Sequence, residues 1–146
     1  MLPRNYKFHI VNNSGVTIEF STDDANNTFT IKGRGWKYTS AGALSYGSEQ
    51  TCFADPTSDL ADGSSLEAAS EVDNSTDLFL GMHFIASLVT DAATSGTLDI
   101  YYEYSTDGGT TYPSDAPDFD TEADLIYVAS IPLGTTTEDR TVNFEL

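Results

Sequence analysis

Apolar and polar side chains alternate along much of this chain with a period of two residues, as in a β-strand with one buried face. The clearest example opens the stretch 97–113, where aliphatic and aromatic residues fill the alternation. One face of the predicted strand carries Leu98, Ile100, Tyr102 and Tyr104, and the other carries Asp99, Tyr101, Glu103 and Ser105. The pattern indicates a half-buried strand of an antiparallel sheet.

A tight turn is predicted where this alternation stops. Asp107-Gly108-Gly109 tolerates positive φ angles, and residues 110–112 resume a strand-like composition, which together predict a hairpin. Residues 105–112 also resemble the Asp-box, a non-catalytic hairpin motif of sialidase-like propellers in which serine and aspartate hydrogen-bond the turn. One copy cannot build a propeller, whose blades run to about 40–50 residues each. We therefore assign Ser105, Asp107, Gly108 and Gly109 to a structural turn.

Similar alternation predicts strands in other parts of the chain. Every second residue from Leu78 to Leu88 is apolar, and Gly81 with the flanking turn signals favours a strand over a helix there. Further strands are predicted from Tyr6, Phe8 and Ile10, from Val16, Ile18 and Phe20, from Phe29 and Ile31, and within 125–133 and 142–146. Helix is predicted only as a turn or two within residues 65–71, from the capping-box spacing of Ser64 and Glu67.

About eight short strands separated by turns indicate an all-β fold, an antiparallel β-sandwich with jelly-roll-like connections and little helix. At 146 residues we expect a single domain over 1–146, with a core that needs neither disulfide nor metal. The lone Cys52 is expected to be a small buried side chain. No signal pattern or long apolar run is present, so we expect a soluble chain without a membrane partner.

The formal net charge is −17, and its distribution is uneven. Five of the six basic residues precede position 38, whereas residues 38–146 hold 20 of the 23 acidic residues and only Arg140 against them. Direct binding to DNA or RNA is excluded by this balance, because such binding depends on Lys and Arg neutralising phosphates. The acidity favours solubility and resistance to self-association. It also suggests that the less acidic N-terminal part contacts a partner while the acidic body faces solvent.

Residues that could carry catalysis are few. His9 and His83 are the only histidines, and both are interpreted as structural or surface residues, with His9 on the outward face of its strand. No Ser/His/Asp motif, no metal-spaced Cys/His set and no phosphate loop is present in the sequence. We therefore expect no enzyme activity and no cofactor.

An acidic loop raises the alternative of a calcium site. Asp118, Asp120, Glu122 and Asp124 occupy the alternating positions that an EF-hand loop would use. The sixth position is Ala123 instead of glycine, however, and the twelfth is Ala129 instead of glutamate. A solvated loop is the main interpretation, and a calcium site of another type is the alternative.

The second half of the chain resembles a family of tailed-bacteriophage capsid decoration, or cement, proteins. The resemblance rests on Val72-Asp73-Asn74-Ser75, the apolar strand 78–89, the segment 96–101, the turn 107–110 with Tyr112-Pro113, and a C-terminal strand. It implies a jelly-roll sandwich on the outer surface of the virion head, made in the host cytoplasm and acting as a small homo-oligomer, a dimer or trimer. Its partner would be the major capsid protein, which it would bridge to strengthen the shell, without catalysis.

Residues 1–40 are the predicted docking segment, because arginine and tryptophan are favoured interface anchors. The docking candidates are Arg4, Lys7, Lys32, Arg34, Trp36 and Lys37. A carbohydrate-binding β-sandwich or virion adhesin is the main alternative, since exposed rings stack on sugars, and a tail or baseplate component is another. The rings that motivate the carbohydrate alternative are Trp36, Tyr38, Tyr46, Tyr101 and Tyr112.

Overall fold

A computed structural model describes residues 2–20, 27–90, 95–134 and 138–146. Within these residues the chain forms nine strands, one 3₁₀ turn and one short helix. The strands are β1 (Asn5–Asn13), β2 (Thr28–Tyr38), β3 (Leu44–Phe53), β4 (Ser65–Glu67), β5 (Val72–Asp73), β6 (Gly81–Thr90), β7 (Thr97–Tyr104), β8 (Ile126–Pro132) and β9 (Glu138–Glu145). The 3₁₀ turn is Pro113–Asp115, and the helix α1 is Thr121–Asp124.

The strands form two antiparallel sheets. The first sheet has the order β4-β1-β7-β8, with β5 also pairing with β1, and the second has the order β3-β2-β6-β9. Five pairs of consecutive strands lie in different sheets, namely β1 and β2, β3 and β4, β5 and β6, β6 and β7, and β8 and β9. The chain therefore alternates between the two sheets around a shared core, and the predicted all-β, jelly-roll-like sandwich is confirmed.

Aromatic rings join the two sheets at the centre of the core. The ring of Phe84 in β6 lies 5.1 Å from that of Phe8 in β1 and 5.0 Å from that of Phe144 in β9. Leu98 and Ile100 of β7 are fully buried, as their alternation predicts. Cys52 is also buried, and this burial raises the pKa of its thiol to about 12, as expected for a cysteine that packs as a small apolar side chain.

The apolar face predicted for 78–89 is correct only from Met82 onward. Alternate residues of β6 from Met82 to Leu88 are buried, but Leu78 and Leu80 precede the strand and are exposed. The cause is a turn built around the Asn74 side chain, whose Oδ1 accepts from Phe79 N and whose Nδ2 donates to Phe79 O. Leu78 takes a positive φ of 51° within this turn, which carries its side chain away from the core.

The strand predicted at 16–20 is wrong. Only a single bridge between Ile18 and Leu60 forms there. Two side chains here occupy a backbone acceptor that strand pairing would otherwise use, because Asn12 Nδ2 and the Ser14 hydroxyl both donate to the carbonyl of Val16. That carbonyl is therefore bonded within the turn itself, and the local pairing stays short.

The helical turn predicted within 65–71 is also wrong, since Ser65–Glu67 form β4. Leu66 pairs directly with Ile10 at the edge of β1. An open sheet edge satisfies the backbone of a three-residue segment at once, whereas so short a helix leaves most of its own donors and acceptors unpaired.

The predicted hairpin after β7 does not form, although the turn does. Gly108 and Gly109 have φ angles of 81° and 88°, as the turn requires. Residues 110–112 form no strand, because β7 already pairs with β1 on one side and with β8 on the other. The segment instead continues to the 3₁₀ turn Pro113–Asp115 over the outer surface of the first sheet.

Phe79 closes one end of the sandwich, and two glycines make room for its ring. A Cβ atom at Gly35 of β2 would lie 2.3 Å from the Phe79 ring, and one at Gly47 of β3 would lie 2.4 Å from it. Phe79 is itself buried, so its ring has little room to move. Both strands therefore carry glycine where this ring crosses them.

We predict that Gly35→Ala destabilises the protein by about 1–3 kcal/mol, because the added methyl group overpacks against a buried ring. The measurement is urea unfolding followed by Trp36 fluorescence. Gly134→Ala is the matched control. The nearest atoms to its Cβ would be those of the Arg140 guanidinium, at 2.5 Å, the movable end of a flexible side chain, so we expect a change within about 0.5 kcal/mol. Equal effects of the two substitutions would contradict this account of Gly35.

Candidate functional site

Three of the six predicted docking residues lie together on the outer face of the second sheet. Lys32, Arg34 and Trp36 alternate along β2 and point away from the core, while the residues between them point inward. Lys37 has the inward parity, and its ammonium donates to the carbonyl of Asp77 at 2.5 Å.

The other two predicted docking residues lie elsewhere. Lys7 belongs to β1 on the outer side of the first sheet, and Arg4 precedes that strand beside Tyr104 and Asp107. The structure therefore does not bring the six residues into one surface, but it places Lys32, Arg34 and Trp36 side by side.

Large exposed side chains from neighbouring strands extend this surface. Trp36 pairs with Tyr46 of β3, Lys32 pairs with Ile85 of β6, and Tyr38 pairs with Leu44. The exposed fractions are 59% for Tyr38, 50% for Tyr46, 50% for Ile85 and 49% for Leu44. We define the aromatic–basic face as Lys32, Arg34, Trp36, Tyr38, Leu44, Tyr46 and Ile85.

The Trp36 side chain is held in place on this face. A Cβ atom at Gly81 would lie 2.8 Å from the nearest atoms of the Trp36 indole, so the glycine leaves the room that the ring needs. The indole Nε1 donates to Glu145 Oε1 at 3.1 Å, so the ring reaches from β2 across β6 to β9. The Tyr38 ring packs edge-on against it at 6.2 Å. An aromatic side chain fixed in this way loses little conformational entropy when a partner binds.

The two cations of the face, Lys32 and Arg34, each contact a neighbouring group and are also exposed. Arg34 Nε donates to the carbonyl of Gly47 at 2.8 Å, and its guanidinium lies 5.6 Å from the centre of the Tyr46 ring. Lys32 Nζ lies 3.3 Å from Glu49 Oε1, and both side chains are more than half exposed. Exposed ion pairs of this kind contribute little to stability, so these charges can be redirected to a partner at low cost.

A cleft of about 500 Å³ opens beside the face at the outer edge of β3. Its walls combine the Tyr46 ring with polar groups of Arg34, Glu49, Gln50 and Asp77. An aromatic ring next to several hydrogen-bonding groups is a chemistry that suits a polyhydroxylated ligand. The cleft adds a concave element to an otherwise open sheet surface.

Of the two interpretations given to His9 from the sequence, structural or surface residue, its burial agrees with the structural one. His9 does point outward from the first sheet, but only 2% of it is exposed, and its ring lies 6.1 Å from that of Phe119 in the segment after the 3₁₀ turn. Its Nε2 lies 2.8 Å from Glu103 Oε1. Glu103 in turn accepts from the backbone N–H of Ser114 at 2.8 Å and from its hydroxyl at 2.6 Å. This polar cluster joins residues far apart in the sequence, so no local pattern could reveal it.

The outer side of the first sheet also holds Lys7 and Tyr112. Lys7 Nζ donates to Glu67 Oε1 at 2.5 Å and lies 4.4 Å from the centre of the Tyr112 ring. Tyr112 is buried, and its hydroxyl donates to Glu71. Burial is the main factor that raises the pKa of Tyr112, and the Glu71 carboxylate adds to it. Tyr112 is therefore unavailable for stacking on a sugar, and the segment over this sheet is fastened by charged groups.

The turn after β7 has the hydrogen bonds that the sequence predicts. At the turn after β7, the Ser105 hydroxyl donates to Asp107 Oδ1 at 2.6 Å, and the same oxygen accepts from the N–H groups of Thr110 and Thr111. These are the turn-stabilising bonds expected of Ser105 and Asp107.

In the acidic loop, two carboxylates accept hydrogen bonds from backbone N–H groups of the loop itself. Asp124 Oδ2 accepts from Asp120 N at 2.8 Å, and Asp120 Oδ1 accepts from Ala123 N at 3.3 Å. The Glu122 side chain lies outside the described part of the chain. Among the described side chains, the residues grouped closely enough to share a metal ion are His9, Glu67 and Glu103, and none of them belongs to this loop.

Comparisons of the chain with protein-family models, with curated proteins and with solved structures give no match. Among the described residues, no helix is both long and apolar enough to cross a membrane. A functional assignment therefore has to come from the surfaces of the molecule itself.

We predict that the Asp107 turn stabilises the protein only at pH values where its carboxyl is ionised. Hydrogen bonds from the Ser105 hydroxyl, and then from the hydroxyl and N–H of Thr111, hold the pKa of Asp107 well below its ordinary value of 3.8. Stabilisation by such a group is fully present above the ordinary pKa and is lost as the pH falls through the lowered one. Asp107→Asn should therefore reduce the urea midpoint at pH 7 more than at pH 2.5.

The control for this pH dependence is Asp118→Asn, which removes one charge from the exposed loop that follows. Its effect on the urea midpoint should not show the same difference between pH 7 and pH 2.5. If Asp107→Asn lowers the midpoint equally at both pH values, the ionised carboxylate is not what holds the turn.

Proposed function

We propose that this chain is a structural virion protein, a capsid decoration protein that binds the outer face of a tailed-phage head as a small homo-oligomer. The observation that supports the proposal most directly is the aromatic–basic face. Four of the nine large hydrophobic side chains that are exposed among the described residues lie together on this face, and patches of this kind mark interaction surfaces in soluble proteins. The resemblance of residues 71–146 to decoration proteins supplies the kind of partner, which is the major capsid protein.

The distribution of charge supports contact through this face. The whole chain carries a net charge of −17, so most of its surface repels other acidic proteins. On the aromatic–basic face, the charges of Lys32 and Arg34 offset those of Glu49 and Glu145, which lie beside the same rings. An acidic partner therefore meets less uncompensated negative charge on this face than the net charge of the whole chain implies. The acidic remainder would then face solvent and keep the decorated particle soluble.

Binding only to the assembled shell would strengthen that shell. A ligand that binds one state and not the other stabilises the bound state by mass action. Many copies on one lattice multiply a modest interface through avidity, particularly if each oligomer touches several capsid subunits. Neither effect requires catalysis, which agrees with a surface built from anchors and not from a reactive centre.

We predict that Arg34→Ala combined with Trp36→Ala reduces binding to phage heads at least about tenfold, the loss expected when interface anchors worth about 1.4 kcal/mol or more are truncated. The measurement is cosedimentation of the purified chain with heads of the phage that encodes it, over a range of chain concentrations. Arg4→Ala combined with Tyr127→Ala is the matched control, because it removes one cation and one exposed ring away from the aromatic–basic face.

Three results would count against the proposal. Equal binding by the Arg34/Trp36 variant and the wild type would show that this face is not the docking surface. Loss of binding in the Arg4/Tyr127 variant alone would move the docking surface to the first sheet. Cosedimentation with isolated tails but not with heads would favour a tail or baseplate component.

A carbohydrate-binding module is the second candidate, and the cleft beside Tyr46 is what favours it. Tyr46 offers a ring in the cleft and Trp36 is its cross-strand partner, while Arg34, Glu49 and Gln50 offer hydrogen-bonding groups in the cleft. Glycan-array binding that disappears on Trp36→Ala and persists on Tyr127→Ala would support this function. Binding to heads without any glycan signal would support the decoration protein instead.

A further inference from the structure

The outer side of the first sheet gathers three side chains with metal-ligating atoms. His9 of β1 and Glu67 of β4 are direct cross-strand partners, and Glu103 of β7 is the partner of Lys7, two residues from His9. The ligating atoms of His9, Glu67 and Glu103 all lie within 4.8 Å of one another. Three adjacent strands of one sheet hold them, so their backbone positions are fixed before any ligand arrives.

Stability alone does not explain why this cluster is buried. The His9 and Glu103 side chains are 3% and 0% exposed, beneath the segment that follows Tyr112. Removing ionisable groups from water costs several kcal/mol per charge, and packed apolar side chains of similar volume often serve stability as well or better. A buried imidazole beside a buried carboxylate is a common arrangement in metal sites, where the metal offsets the cost.

The charges around the cluster favour a cation. The carboxylates of Glu67, Asp115 and Glu103 all attract the Lys7 ammonium, and Glu67 contacts it directly. Lys7 itself contacts Glu67, which shows that this position accepts a cation. A divalent ion at the same place would neutralise more of the excess negative charge than the ammonium does.

We propose that His9, Glu67 and Glu103 form a binding site for one Zn²⁺ ion. The ligands would be His9 Nε2 and one carboxylate oxygen from each glutamate, a nitrogen and oxygen set that suits zinc and does not suit calcium, which prefers oxygen alone. Two ligand atoms at the usual zinc distances of about 2.0–2.2 Å are roughly 3.4 Å apart in a tetrahedral site. His9 Nε2 and Glu103 Oε1 are 2.8 Å apart, a hydrogen-bond distance, so the two groups would separate by about 0.6 Å to reach that spacing.

The surroundings fit the roles that a zinc site requires. Ser114 donates two hydrogen bonds to Glu103, which would orient this carboxylate as outer-shell donors do in metal sites. Glu67 is 40% exposed, so its side chain can move the short distance needed to complete the site. Zinc would replace the hydrogen bond between His9 Nε2 and Glu103, and the Nε2 lone pair would then face the ion with the imidazole hydrogen on Nδ1.

Lys7 is the competing cation in this arrangement. Its ammonium would have to leave Glu67 for zinc to bind there, and its flexible, partly exposed side chain allows that movement. Removing the ammonium should therefore tighten zinc binding, whereas removing a ligand should weaken it. A purely structural network would show neither effect.

The test is calorimetric titration of ZnCl₂ into the full chain after treatment with a chelator, together with the melting temperature. We expect about one Zn²⁺ per chain and a higher melting temperature with zinc. His9→Ala and Glu67→Gln should each weaken binding at least tenfold, and Lys7→Met should strengthen it. His83→Ala is the matched control, because His83 is an exposed histidine 3.7 Å from Glu145 and should be the site of any adventitious binding.

Each outcome decides the proposal. Zinc binding lost in Glu67→Gln and retained in His83→Ala would support it, even if His9→Ala does not fold. It would be overturned if the wild type shows neither heat nor a shift in melting temperature, or if Glu67→Gln binds zinc as well as the wild type. Loss of binding in His83→Ala would also overturn it. CaCl₂ in place of ZnCl₂ should give no binding, and calcium binding at this site would contradict the assigned ligand chemistry.

Discussion

The edge-on packing of Phe8 against Phe84 is the contact on which the rest of the structure depends, because it joins the two sheets at their centre, where Phe144 stacks on Phe84 from the neighbouring strand. Its consequence for β2 is direct. A Cβ atom at Gly33 would approach the Phe84 ring to 2.8 Å, and one at Gly35 would meet Phe79. Between Lys32 and Trp36 the inward positions of β2 are therefore glycines, and the large side chains of this stretch point outward. The aromatic–basic face is thus a product of how the core is packed.

The two sheets differ in what covers their outer sides. The first sheet is partly covered by the segment after Tyr112, which is fastened through Ser114 to Glu103 and through Tyr112 to Glu71. On the second sheet, the rings and cations of the aromatic–basic face meet solvent in the described part of the chain. This asymmetry separates the two proposed roles, since a small ion suits a covered polar cluster and a protein partner suits an open face.

Sequence periodicity predicted most of the strands and their faces correctly, because alternation is a property of neighbouring residues. It predicted that Leu98 and Ile100 are buried, and the basic and aromatic residues of 1–40 marked Lys32, Arg34 and Trp36 among six docking candidates. It was wrong where other parts of the chain decided the outcome. Ser65–Glu67 became a strand because β1 offered an edge, and residues 110–112 did not because β7 had none left. His9 was placed on the correct side of its strand, but its cover comes from residues more than a hundred positions away.

The sequence by itself therefore determined the fold class, the direction of most strand side chains and the bonds of the Ser105–Asp107 turn, since each depends on residues within a few positions. Tertiary structure alone decided which outer face stays open, which strands are neighbours, and which charged groups meet. His9 with Glu103 and Trp36 with Glu145 are pairs separated by 94 and 109 positions. The physical reason is that alternation sets only which way a side chain points, whereas its surroundings come from strands that pack beside it after folding.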